Sequence, residues 1–549
     1  MNPPAKIVFL AMDAGDKFLI QNWARDGTLP TMHSLFARGL VGETMSVEGL
    51  YEGSTWPSFY TGVTPARHGF HRLTQINPGT YEFYRCYPGE FIKREPFWNH
   101  LSRAGRKVAI LDIPLSGISK GLNGIQMVEW GSHDGVYGFH TWPKELKGDV
   151  IKRFGNHPMK KSCDSHRRSP QDLCRFRDYL IEGVKKKCEL TIHYMNKGEW
   201  GFFAQVFTEG HCAGHQCWHL HDPAHPNYDR KIVSLTGDPI RDVYRAIDSA
   251  IGRILAHVDE NTIVFFLATH RMAHNVGGDF LLEKILEKLN LLKKWPATTS
   301  LKQQGMIKQV HNVAKGQWQK LPNPIKATLK PALFPLYNSA KRWVVGEDLP
   351  QISSRMDLKH CKCFPHENGN LISGIRINLL GREPSGLIKP GKELKDFCQE
   401  LTEDLLNIVD RDSGKPMVKR VIKTSDFLQG ECIDHLPDLL VEWNEDKLMG
   451  SKGVSDDKSC WLQLTSEKIG MVEGEYTYCR TGDHRPEGLF IVFGPGINPG
   501  AIGRTISIMD FAPTFLNLFG LTNPDLDGKP ISEILGKESS LSCWTQEED

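Results

Sequence analysis

Strand-length apolar runs recur along this chain with helix-patterned stretches between them, and this alternation constrains its fold more than any other feature. "KIVFLAM" (6–12) comes first, and "KVAILDI" (107–113) follows the helical "PFWNHLSRAG". "WGFFAQVF" (200–207) and "TIVFFLA" (262–268) flank "DVYRAIDSAIGRILAHVDEN", whose apolar residues recur at helical spacing. "LPDLLVEW" (436–443) and "GLFIVFGPG" (488–496) come later. Runs apolar on both faces, separated by helices, predict an α/β fold: a mainly parallel sheet sandwiched between helices. The pattern weakens over 276–365, where the amphipathic "LLEKILEKLNLLKKW" precedes a proline-broken stretch. We expect a core in two parts, 1–275 and 366–540, around a mostly helical insertion or cap at 276–365, with a tail at 541–549. The insertion offers a lid or a homo-oligomer surface.

With 549 residues and 40% hydrophobic content, the chain can bury a large core. A net charge of +2 gives no global signal for a nucleic-acid polymer or an anionic membrane, and Lys-rich pieces such as "GVKKKCEL" and "LLKKWP" read as solvated faces. No window approaches the roughly 18 apolar residues of a membrane span, and the first residues lack a signal-peptide pattern. The 13 cysteines are scattered without a compact framework, so free thiols and a cytoplasmic location are expected.

Ligands of open α/β sheets bind at the carboxyl ends of strands. Those ends carry Asp13 after the first run, His211 and His215 in "GHCAGHQCWHLHDPAHP", Thr269 and His270 in "ATHRM", and Asp483 and His484 before the last run. A carboxylate and several imidazoles at successive strand ends suit a borderline divalent metal such as zinc. Each piece alone also has a plain reading: Asp13 as a loop cap, His484 as part of a surface turn. Their joint occurrence points to metal.

A hydroxyl nucleophile is on offer in "YEGSTWPSFYTGVTPARHGF" (51–70). Ser54 or Thr55 before Trp-Pro could open a helix, with Pro57 in its first turn and free backbone N–H groups for an anion. An ordinary N-cap explains the same residues.

"FLAMDAGD", "TWPSFYTGVTPARHGF", "GHCAGHQCW", "ATHRM", "GDHRPEGLFIVFGPGI" and "MDFAPTFLNLFGLTNPDLDGKPI" stand in the order found in the alkaline phosphatase superfamily. The chain resembles its type I phosphodiesterase/nucleotide pyrophosphatase branch from about residue 5 to 535, the insertion excepted. The resemblance implies an alkaline phosphatase-like core and hydrolysis of phosphate esters with two metal ions, usually zinc, and a Thr or Ser nucleophile. It makes Thr55 the nucleophile, with Ser54 as the fallback, and Asp13, His215, His270 and His484 metal ligands.

Four positions depart from the family pattern. His211 and Thr269 stand where aspartates are usual, Ser58 where an asparagine binds a phosphoryl oxygen, and Arg271 where glycine follows the histidine. One metal position then becomes His211, His215 and His484. The other keeps Asp13, Thr55 and His270, with only a weak contact from Thr269. Ligand charge falls from about −3 to about −1, which leaves open one ion or two and gives Glu209 a chance to substitute as a ligand. Manganese could replace zinc.

The expected function is therefore metal-dependent hydrolysis of a small phosphate ester, most simply a phosphodiester or nucleotide pyrophosphate, through a Thr55 phospho-enzyme. Alternatives on the same scaffold are a phosphomonoesterase, a phosphonate hydrolase, or a non-catalytic metal- or anion-binding protein. Cys361, Cys363 and His366 in "HCKCFPHENG" offer a second zinc site against a structural reading. Arg376 and Arg382 offer substrate contacts against salt bridges.

Overall fold

The computed structural model describes residues 6–536, apart from 132–134, 136–137, 160–162, 168, 296–355, 448, 453 and 455–457. A ten-stranded sheet forms its frame, in the order Gly500–Ala501, Leu40–Met45, Glu487–Phe493, Thr262–Ala268, Lys6–Met12, Phe202–Phe207, Val108–Leu111, Gly124–Val128 and His140–Trp142, with Ile506–Ser507 paired beside Leu40–Met45. The central strands are parallel, while Glu487–Phe493 and His140–Trp142 run antiparallel to their neighbours.

Strand periodicity explains why the central runs are apolar throughout. Ile7, Phe9 and Ala11 face one buried cluster, with Trp56, Phe59, Phe511 and Phe515 from the helices Tyr51–Thr61 and Phe511–Leu518. Val8, Leu10 and Met12 face the other, with residues of the helices Pro170–Met195 and Pro239–Leu255. Both faces of the strand are covered, as the two-sided apolar runs require.

A second, antiparallel sheet orders Cys363–His366, Ile372–Ile377, Leu439–Trp443 and Val418–Lys423, and the helix Lys392–Leu406 packs on it through a core of its own. "LPDLLVEW" therefore joins this sheet and not the parallel one. An apolar run records that a strand is buried, not which strands flank it.

Most of the expected helical insertion, 296–355, lies outside the described residues. At its edges Leu282–Lys288 is a helix, Lys294 bridges Met356, and Cys363–His366 is already a strand. Cys361 donates to the Asp357 carbonyl at 3.2 Å and His366 packs on the His71 ring, so the second zinc site is not assembled among the described residues. Every described cysteine is a free thiol. Arg376 pairs with Glu383, and Arg382 with Asp438 and Glu383, as structural salt bridges. No helix among the described residues is long and apolar enough to cross a membrane.

The loop into the second lobe carries one costly group. The Ser373 hydroxyl donates to Asp279 Oδ1 at 2.6 Å and accepts from Trp443 Nε1 at 2.7 Å. Burial, only partly offset by the Ser373 bond and Arg72, pushes the Asp279 carboxyl up to about 6. The native state thus holds this proton more tightly than the unfolded chain does. Its stabilising effect is complete below the unfolded value and is lost as pH rises through about 6. Asp279→Asn should flatten the fall in stability between pH 4 and 7 by about 2 kcal/mol, read by denaturant titration. An unchanged slope would show that Asp279 is not the group responsible.

Candidate metal centre

Register delivers the site. Met12 lies opposite both Phe207 and Ala268, so three adjacent parallel strands end level and release their next residues at one edge. The first strand releases Asp13. Phe202–Phe207 leads into the helix Glu209–His221, where His211 and His215 lie one turn apart on one face. Thr262–Ala268 releases Thr269 and His270, then continues as Arg271–His274, which pairs antiparallel with Gly482–Arg485 and so brings in His484. The helix and Gly482–Arg485 touch backbone to backbone: a Cβ at Gly482 would run into the Gly214 carbonyl. This close approach lets His215 Nδ1 reach the Gly482 carbonyl at 2.8 Å.

His211, His215 and His484 are buried, each offering a ligand atom within 4.8 Å of the other two. Ring centroids lie 4.6–4.7 Å apart within the trio, and His270 sits 4.6 Å from His484 and 6.1 Å from His211.

The hydrogen bonds set the tautomers. A carbonyl only accepts, so His215 Nδ1 carries the proton it donates to Gly482. His211 Nδ1 lies 2.6 Å from Asp13 Oδ2 and donates to it. Burial alone would raise the Asp13 carboxyl, but the neighbouring His211 charge and hydrogen bond outweigh it. With help from His270 and the Trp56 bond, they hold Asp13 well below the usual carboxylate range. The His211 and His215 Nε2 atoms lie 2.8 Å apart while their Nδ1 atoms give protons to Asp13 and Gly482. A cation beside the pair would take both nitrogens as donors. His484 adds a buried Nδ1 without a hydrogen-bond partner. Burial, then the neighbouring imidazoles, drive the His484 pKa far down, keeping the ring neutral and ready to ligate. Three imidazoles around one point fit a divalent ion with an open fourth position.

The other expected position is assembled differently. Asp13 Oδ1 accepts from Trp56 Nε1 at 2.8 Å while Oδ2 takes His211. Thr269 Oγ1 accepts from the Ala14 N–H at 3.4 Å and lies 3.0 Å from His270 Nδ1. Only His270 Nε2 among these groups is buried without a partner, and burial lowers the His270 pKa to about 4.

Thr55 is not at a helix start. Its helix runs Tyr51–Thr61 with Leu50 as cap, so Thr55 stands in the second turn, Pro57 lies inside the helix, and neither Ser54 nor Thr55 is the N-cap. The hydroxyl of Thr55 donates to the Tyr51 carbonyl at 2.6 Å and that of Ser54 to Leu50 at 2.6 Å. The expected cradle of free backbone N–H groups at Thr55 is therefore absent, because "YEG" extends the helix where a loop was expected. Three further candidates have other partners in the structure. Ser58 Oγ contacts His68 Nε2 at 3.0 Å, and Arg271 pairs with Glu487 at 3.1 Å. Glu209 directs Oε1 to His157 at 3.0 Å and Lys187 at 3.4 Å.

Sequence reading missed several residues that build the site. Trp56 holds Asp13, and the Tyr51 hydroxyl donates to the His484 carbonyl at 3.3 Å, so the Thr55 helix is tied to the ligand set at two points. Lys187, inside the "KKK" taken for a solvated face, is fully buried. It donates to Gly131, Val206 and Thr208, and sits 3.4 Å from Glu209 and 3.9 Å from Asp112.

The geometry can be set beside known proteins. No curated protein matches the chain. Among solved structures, it is similar to phosphonoacetate hydrolase from Sinorhizobium meliloti 1021 in complex with phosphonoformate, at 13% identity and TM-score 0.50, over 94% of this chain and 96% of that one. It is also similar to murine ectonucleotide pyrophosphatase/phosphodiesterase 5 in complex with AMP, at 10% identity and TM-score 0.47, over 95% and 97% of the two chains. The large, mostly parallel sheet between helices is an alkaline phosphatase-like fold. Residues 7–346 match the family described as Type I phosphodiesterase / nucleotide pyrophosphatase. Spanning more than half of the sequence and taking in Asp13, Thr55 and the His211, His215 and His270 positions, that match makes the chain a member of the type I phosphodiesterase/nucleotide pyrophosphatase family.

Proposed function

We propose that this chain is a metal-dependent hydrolase of small phosphate esters, most simply a phosphodiesterase or nucleotide pyrophosphatase, acting through Thr55. Membership of a family of phosphoester hydrolases supports the reaction class. The observation that carries the reading is the 2.8 Å approach of the His211 and His215 Nε2 atoms beside His484, next to the helix that bears Thr55. His211, His215 and His484 would hold the ion, zinc or manganese. A divalent ion there supplies Lewis-acid neutralisation of charge on a phosphoryl oxygen and lowers the pKa of an oxygen donor.

The chain's own residues do the rest. The Thr55 hydroxyl leaves its Tyr51 carbonyl by rotation about χ1 and attacks phosphorus; the bond to the alcohol or nucleotide breaks, the hydroxyl proton ends on the departing oxygen, and water then hydrolyses the phosphothreonine, returning the Thr55 hydroxyl and a phosphate product. Asp13 takes the His211 N–H and Trp56 fixes Asp13. The residue after the nucleophile thereby keeps Thr55 in register with the histidines. Burial of all four imidazoles keeps water from weakening these interactions.

The substrate class is tested with metal-loaded protein and a panel of nitrophenyl phosphate monoesters, diesters and phosphonate esters. The diester should turn over fastest. A faster phosphonate or monoester would place the chain with one of those chemistries on the same scaffold, and metal binding without any turnover would make it a binding protein.

A further inference from the structure

We infer that this chain holds one ion and not two, in the three-histidine position, and that Asp13 is the positioning carboxylate of His211 and not a metal ligand. The inference rests on the hydrolase reading for the presence of an ion and goes beyond it in the number of ions and in the role of Asp13.

A second ion would have to draw its donors from Asp13, Thr55, Thr269 and His270. Both Asp13 oxygens already accept a hydrogen bond, one from the Trp56 indole N–H at 2.8 Å and the other from His211 Nδ1 at 2.6 Å. The Thr269 hydroxyl is engaged by the Ala14 N–H and the His270 ring, and Thr55 donates to its own helix. His270 Nε2 alone is without a protein partner, and one imidazole does not bind an ion. Charge argues the same way: two buried dications side by side would share a single carboxylate, Asp13.

The residue at 211 explains the change. Its ring reaches Asp13 through Nδ1 and His215 through Nε2, so one side chain spans the two expected metal positions. An ion placed on Asp13 Oδ2 would compete with the His211 N–H. Loss of that bond would release the tautomer that presents His211 Nε2 toward His215. The two uses of Asp13 therefore compete. The observed Asp13–His211 bond is the carboxylate–imidazole part of a carboxylate–imidazole–metal arrangement, in which the carboxylate fixes the ring and raises its basicity.

The test is metal stoichiometry, which needs no substrate. The full chain is stripped with a chelator, incubated with excess zinc or manganese, desalted and analysed for metal. A parallel cobalt(II) titration is followed by visible absorption. One equivalent per chain and a cobalt titration that breaks at one equivalent are expected. Asp13→Asn, checked for folding by circular dichroism, should still bind one equivalent with affinity weakened about 10–100-fold. Two equivalents in the unmodified chain would overturn the inference, as would unchanged zinc affinity in folded Asp13→Asn. Two equivalents together with diester turnover would leave the hydrolase reading standing. No bound metal would overturn both.

Discussion

Thr55→Ala is expected to lower kcat/KM for an aryl phosphodiester at least about 10³-fold while leaving metal content unchanged. The split between activity and metal binding follows from the geometry. Thr55 Oγ1 bonds only its own helix at Tyr51, whereas the ion's donors are imidazoles on two other elements. Thr55→Ser should recover part of the activity, because it restores the hydroxyl without the methyl that fixes its rotamer. Ser54→Ala should stay within about threefold of the unmodified enzyme. If instead Thr55→Ala keeps full activity and Ser54→Ala loses it, the nucleophile is the neighbouring hydroxyl. His484→Ala is the contrasting variant, losing metal and turnover together.

Lys187→Met is expected to be the most destabilising single change to the frame behind the site, by about 3–5 kcal/mol. The ammonium is fully buried among the Gly131 and Val206 carbonyls, the Thr208 hydroxyl and the carboxylates of Glu209 and Asp112. Burial would raise both carboxyls. The closer partner, Glu209, is nonetheless held below the usual range by Lys187 and His157, while Asp112 stays raised. Methionine fills much of the lysine volume, so the loss isolates the charge. Glu209 opens the helix that carries His211 and His215, so metal affinity should fall with stability. Thermal melting with and without metal measures both. A melting temperature within about 2 °C of the unmodified protein would show that this network does not hold the frame.

Much of this architecture is legible in the sequence, and the misses have physical causes. Lys6–Met12, Phe202–Phe207 and Thr262–Ala268 stand out because burial on both faces demands unbroken apolar runs, and their carboxyl ends mark the site. The clustering of His211, His215 and His484 follows from those ends. Leu439–Trp443 was placed in the wrong sheet because pairing is decided by distant residues. Lys187 looked solvated because a run of three lysines on a helix hides the one that turns inward, and its partners lie far off in sequence. The start of the Thr55 helix was misplaced because Tyr51 and Glu52 give no capping signal. The family resemblance also implied that His211 and Thr269 stand at positions where carboxylates are usual. What it did not reveal is that His211 claims Asp13, since that depends on the side-chain contact across two strand ends.

The central claim is that turnover depends on an ion held by His211, His215 and His484. The direct measurement is the initial rate of bis(p-nitrophenyl) phosphate hydrolysis as zinc or manganese is titrated into the chelator-stripped full chain, with bound metal determined at each point. No turnover is expected in the stripped protein, with a rate that rises in proportion to bound metal and levels when the histidine site is full. Turnover that persists after stripping, or a fully loaded protein that hydrolyses no ester of the panel, would contradict the claim.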